Sequence, residues 1–148
     1  LVVIVGLPDE TDEDIDELIQ LCLSLRKILP VKLGVSPFVP KFHTPLAQAP
    51  FIGEKGAEAR LAKLRKALAG KVELRGPSAK EAYVEYRLAQ GGPQHARAAI
   101  EAARMGGSLG AWKRALADLP ERFVPGNIGA LTPASSRQRR LQILAAAS

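Results

Sequence analysis

The residues Leu1–Val5 form an apolar, mostly β-branched run with no polar break. Such a run predicts a strand buried on both faces, as in a parallel sheet. Gly6-Leu7-Pro8 ends it. Thr11 then stands where a helix N-cap is expected, with Asp14 three residues on, an aspartate version of the capping box. Ile15, Leu18, Ile19, Cys22, Leu25 and Leu29 recur at helical spacing and predict an amphipathic helix that Pro30 ends. Val31, Leu33 and Val35 alternate with other residues and predict a second strand over 31–38. Strand, helix and strand in this order make a βαβ unit with a right-handed crossover.

Beyond it the periodicity changes. Pro37, Pro40, Pro45 and Pro50 make the segment 37–53 neither helix nor central strand. Loops longer than roughly 12–15 residues are uncommon in compact domains and usually functional or disordered. Phe38, Phe42 and Phe51 favour order here. Glu54–Ala69 reads as a helix with Leu61, Leu64 and Leu68 inward and Gly70 beyond its end. Residues 71–75 read as a short strand. Ser78 and Glu81 form a capping box that opens a helix running to about Gln90. Gly91-Gly92-Pro93 starts another, with Ala96, Ala99, Ile100 and Ala103 expected to line its packed face. Ser108 opens a short helix carrying Leu109, Trp112 and Leu116, stopped by Pro120. The expected organisation is an α/β βαβ unit over 1–39, a proline-rich loop over 40–53, a mainly helical part with one short strand over 54–122, and a basic, flexible tail over 123–148.

Composition narrows the function classes. Apolar residues make up 47% and charged residues 24% of 148, the balance of a globular protein. No stretch approaches the roughly 18 consecutive apolar residues of a membrane-spanning helix. Cys22 is the only cysteine, which excludes an internal disulfide framework and a zinc site built on several thiolates. It also fits a reducing, cytoplasmic setting. Residues 1–30 carry seven acids and two bases, whereas residues 31–148 carry eight acids and nineteen bases. That asymmetry keeps a nucleic-acid surface as an alternative function, beside an interaction domain without ligand. The bases are dispersed at helical spacing, and the aromatic residues read as scattered, so nucleic acid is not the favoured partner. The chain starts directly on a strand pattern, with Met105 as its only methionine. The expectation is that Leu1 lies within a longer polypeptide.

Candidate chemistry is sparse. Gly6-Leu7-Pro8 sits outside the carboxyl end of a strand, where α/β sheets and barrels bind ligands, and Ser36-Pro37 is a second such place. The acids of 9–17 lack the alternation and central glycine of a calcium loop and fit a solvated, dipole-matched first helical turn. His43 and His95 are isolated, and no metal triad is expected from them. Cys22 on the apolar helix face reads as a buried, inert thiol.

Two segments together resemble a known family. The run VVIVGLPDETDEDI at 2–15 resembles the Gly-Leu/Phe-Pro-x-Glu-Thr-x-Glu-Asp stretch of radical S-adenosylmethionine (SAM) enzymes. The run SPFVPKFHTP at 36–45 is similar to the Ser-Pro-Phe-Val-Pro-Lys-Pro-His-Thr-Pro stretch of one branch, many of whose members carry an N-terminal cobalamin-binding domain. Residues 78–118 also look like the helical segment that follows the barrel there. The resemblance implies a late βαβ part of a partial (β/α)6 TIM-type barrel. It implies an early CxxxCxxC loop, absent here, whose thiolates hold a four-iron four-sulfur cluster that cleaves SAM to a 5′-deoxyadenosyl radical. Carried over, Gly6, Leu7, Pro8, Val35, Ser36 and Pro37 are expected near SAM, and Lys41, His43 and Thr44 on the substrate side. Phe42 stands where the branch has proline, and Gln90-Gly91-Gly92-Pro93 where it has an Arg-Gly-Asp-Arg-like stretch. The implied cofactors are SAM and the cluster, with cobalamin a candidate. The implied partner is the N-terminal half of the same polypeptide, without which this chain is expected to be inactive.

Overall fold

The computed structural model describes residues 1–123, so the tail expected over 123–148 lies almost wholly outside the described residues. The elements run β1 (Val2–Val5), α1 (Asp12–Arg26), β2 (Lys32–Pro37), α2 (Gly53–Leu68), β3 (Glu73–Arg75), α3 (Ala79–Ala89), α4 (Pro93–Arg104) and α5 (Leu109–Leu116). The three strands form one parallel sheet in the order β1-β2-β3. Val3 faces Val35 and Ile4 faces Ser36 across the first pair, and Leu33 faces Leu74 across the second.

Each element follows from its sequence. Thr11 and Asp14 form the expected capping box, each side chain accepting from the other's backbone N–H. Ile15, Ile19 and Cys22 of α1 and Ala57, Leu61, Leu64 and Leu68 of α2 bury against Val5, Leu33 and Val35. A strand side chain points alternately to the two faces of a sheet, so both helices cover the same face. The short strand expected at 71–75 joins this sheet through β2. The α/β layer therefore continues through α2 and β3, and helices alone begin at Ala79.

Three expectations change. The first strand is not buried on both faces: Val2 is 87% and Ile4 54% exposed. No helix among the described residues covers the face they share with Lys32, Gly34, Ser36, Glu73 and Arg75. Glu73 bridges Lys32 at 3.3 Å and Arg75 at 2.6 Å on that face. Helix α1 ends at Arg26 rather than at Pro30, because Lys27–Leu29 turn back in hydrogen bonds to Ser24 and Leu25, which leaves Leu29 outside the packed stripe. On α4 the packed face is His95, Ala98 and Ala102, while Ile100 is exposed. Ala96 and Ala103, also expected inward, are exposed: alanine fits either face of a helix, and the expected face followed Ile100, which packing does not.

The helices α3, α4 and α5 share a second, smaller core of Val84, Ala98 and Leu116, flanked by Leu88, Leu109 and Trp112. His95 is buried beside it. Its Nδ1 accepts from the Gly92 N–H at 3.1 Å, which places the ring proton on Nε2, 3.0 Å from the Pro120 carbonyl oxygen. Burial holds the imidazole below its ordinary pKa, against the Pro120 hydrogen bond. Between that lowered value and about 6.5, the unfolded chain binds a proton that the folded chain refuses. Stability is thus unaffected by His95 above the window and falls as the pH drops through it. Urea midpoints at about pH 7.5 and about pH 5.5 check this: the wild type is expected to lose more than His95→Gln. Equal losses would remove His95 from the account.

Candidate functional site

In a parallel sheet all carboxyl ends lie at one edge. Here that edge carries Gly6 after β1, Phe38 after β2 and Gly76 after β3. The Phe38 N–H donates to the Val5 carbonyl at 2.7 Å, extending the ladder by one step.

The turn after β1 is fixed by its own side chains. Gly6 has φ +81°, a conformation that favours glycine, and a Cβ there would press on Ile52 Cγ2 at 3.0 Å. The Glu10 N–H donates to the Leu7 carbonyl at 3.2 Å, and Asp9 takes φ +65°. One carboxylate oxygen of Glu10 accepts from the Gly6 N–H at 2.8 Å and from Arg60 Nε of α2. Arg60 Nη2 also donates to the Glu10 carbonyl at 3.2 Å. Glu10 is therefore a turn lock with a buried carboxylate, unlike its exposed neighbours Asp9 and Asp12. Nothing in the sequence separates Glu10 from its acidic neighbours, because its partner Arg60 lies fifty residues away.

After β2 the proline-rich loop is ordered by contacts to the helical part. Buried Gln90, at the end of α3, donates from Nε2 to the Pro40 carbonyl at 2.7 Å. Its Oε1 accepts from Arg122 Nε at 2.9 Å, and Arg122 Nη2 donates to the Ala47 carbonyl at 2.6 Å. Phe51 stacks on Tyr86 with ring centroids 4.6 Å apart, and Tyr83 stands 6.5 Å from Phe51. Three of the aromatic residues that read as scattered thus form one half-buried cluster that joins the loop to α3. Arg87 caps the end of α5, donating to the carbonyls of Leu116 and Leu119 at 2.7 and 2.8 Å.

A cleft of about 600 Å³ opens between the sheet edge and this loop. Ile4, Ser36 and Pro37 form its sheet side, Lys41, Thr44 and Leu46 its loop side, and Glu85 of α3 its end. Lys41 Nζ meets Glu85 Oε1 at 2.9 Å, and the Thr44 hydroxyl donates to the Lys41 carbonyl at 2.8 Å. Of the expected positions, Ser36, Pro37, Lys41 and Thr44 come together here. His43 is exposed in a left-handed conformation (φ +62°) and does not line the cleft. Gly6, Leu7 and Pro8 form the neighbouring turn. The Val35 side chain points into the core, and its main chain is covered by Gly76. Ile4 and Glu85 are cleft residues that sequence reading missed: Ile4 lay in a run expected to be core, and nothing local distinguishes Glu85. Cys22 is fully buried between α1 and the sheet, which raises its thiol pKa.

Over 41 residues, 27% of its length, the chain is 54% identical to an uncharacterized protein of Methanocaldococcus jannaschii, MJ0966, of which that stretch is 9%. No known family profile matches the chain. No solved structure matches it either.

Proposed function

We propose that this chain is a late part of a radical SAM enzyme, supplying one side of the SAM and substrate cleft of a partial barrel. The observation that carries the reading is the one-sided sheet. Consecutive parallel strands whose two covering helices, α1 and α2, lie on one face curve toward a barrel, whereas an open doubly wound sheet would be covered on both faces. The bare face, with Val2, Ile4, Gly34 and Ser36, then corresponds to the barrel interior. The two family-like segments, 2–15 and 36–45, leave adjacent strands at the same edge, the ligand-binding edge of such barrels.

The residues at hand suit part of this assignment. Ile4 and Pro37 offer an apolar wall and Ser36 a hydroxyl to the adenosyl end of SAM. They do not suit the iron–sulfur cluster, since the one thiol is sealed in the core. The cluster, and any cobalamin, is assigned to the preceding part of the longer polypeptide. Bound SAM would supply the radical; this chain's residues would bind and orient it.

The test uses that longer polypeptide with its cluster reconstituted under anaerobic conditions. It is expected to contain CxxxCxxC ahead of Leu1 and to release 5′-deoxyadenosine from SAM on reduction. Ser36→Phe should weaken SAM binding by about tenfold or more. A parent sequence without the three cysteines, or SAM affinity unchanged by Ser36→Phe, overturns the assignment.

A further inference from the structure

A second cleft, of about 610 Å³, lies between α3 and α5. Its walls are Val84, Leu88, Leu109 and Trp112, and it meets the sheet-edge cleft at Lys41 and Glu85. Those two residues are the only ones the clefts share. Each volume falls in the range of small-molecule sites, roughly 300–1,000 Å³. The Lys41–Glu85 ion pair is thus a bar across a longer trough.

The bar is built to open. Both side chains are about half exposed, at 58% and 48%, and such pairs hold weakly against solvent. The Lys41 backbone does not move with its side chain: Thr44 holds its carbonyl, and Gln90 holds the carbonyl before it. The ammonium therefore swings from a fixed base. Among the described residues, Lys41 is also the only basic residue lining either cleft.

The two clefts differ in polarity. Lys41 and the hydroxyl-bearing Ser36 and Thr44 gather in the sheet-edge cleft, where Glu85 is the one carboxylate. Beyond the shared Lys41 and Glu85, the α3–α5 cleft adds Glu81 and is otherwise apolar or glycine. An anionic group belongs in the first and an apolar body in the second.

We propose that the joined clefts bind an amphiphilic anion, a carboxylate or similar head on an apolar chain or ring. The head takes Lys41 from Glu85 and lies beside Thr44, on the loop side of the cleft, and the body passes over the opened bar to Trp112. Glu85 swings to solvent. This inference does not rest on the radical SAM assignment; where both hold, it names the substrate class.

Trp112 is the only tryptophan of the chain, so its fluorescence reports the α3–α5 cleft alone. The 148-residue chain is titrated at neutral pH with decanoate, decanol and decylamine, and with decanoate brominated at its far end. The brominated probe should quench Trp112 saturably, and decanoate should compete it away. Decanol and decylamine should compete about tenfold less well, the scale of one charge-assisted contact. Lys41→Gln should bring decanoate down to the level of decanol, and Glu85→Gln should tighten it. Both positions are exposed enough for the variants to fold, which the wild-type circular dichroism spectrum verifies. Absence of quenching, equal binding of decanoate and decanol, tighter binding of decylamine, or indifference to Lys41→Gln each overturns the proposal.

Discussion

Replacing Gly76 by alanine is expected to abolish cooperative folding of this chain. Gly76 turns the chain from β3 into α3 with φ +147°. A Cβ at that position would lie 1.8 Å from the carbonyl oxygen of Val35 and 2.9 Å from its carbonyl carbon. Both are main-chain atoms of the central strand, hydrogen-bonded into the sheet, so the obstacle cannot rotate away. The strand or the turn must move, and either movement opens the core around Val35, Leu68 and Ala79. A cost of about 4 kcal/mol or more is the scale of such backbone conflicts. At the low end of the roughly 5–15 kcal/mol that holds a domain of this size, that is most of its stability. Gly70→Ala is the matched control. Gly70 also has positive φ, +69°, but among the described residues nothing lies within 4 Å of its Cβ direction. Only the left-handed penalty of about 1–2 kcal/mol applies there. Urea unfolding followed by circular dichroism separates the two. Equal stabilities would mean that the β3–α3 turn does not press on β2.

Gly76 also shows where the sequence stops being readable. Local physics carried the first unit: the β-branched run, the Thr11–Asp14 cap and the alternation at 31–35 gave β1, α1 and β2 near their true places. In each case the determining partners are a few residues apart. Nothing local marks the glycine at 76, and what makes it obligatory is a carbonyl more than forty positions earlier. Gln90 is alike: it read as the end of a helix, while its function in the fold is to bind Pro40 and Arg122. The bare sheet face was hidden for a different reason. A run such as Leu1–Val5 states that two faces are apolar, not what covers them. The candidate site was legible in the same measure. Ser36, Pro37, Lys41 and Thr44 sit on one contiguous stretch and stay together, whereas Glu85 reaches the cleft only through the packing of α3 on α2 and β2.

Removing the Glu10 carboxylate is expected to cost about 3–5 kcal/mol, the scale for breaking a buried ion pair at one end. The Glu10 and Arg60 side chains are only 9% and 17% exposed, so solvent does little to replace a lost partner. Glu10→Ala strands the Arg60 guanidinium between α2 and the turn and leaves the Gly6 N–H without its acceptor. Glu10→Gln keeps an oxygen for Gly6 but no charge for Arg60, and should cost about 1–3 kcal/mol. The double variant Glu10→Ala/Arg60→Ala should be less damaging than the two single changes added together, because no uncompensated charge remains. Denaturant unfolding of the four proteins measures the coupling. A cost for Glu10→Ala under about 0.5 kcal/mol, the level of an ordinary surface change, would show that the pair is solvated. Hydrogen exchange locates the effect: the Gly6 amide should lose protection in Glu10→Ala before the β2 amides do. The consequence reaches the site. Gly6-Leu7-Pro8 stands at the edge of the sheet that carries the strands' carboxyl ends, without lining the cleft, and its rigidity comes from a carboxylate four residues on and a guanidinium on α2. A turn held in this way keeps one fixed backbone surface beside the cleft whether or not a ligand is bound.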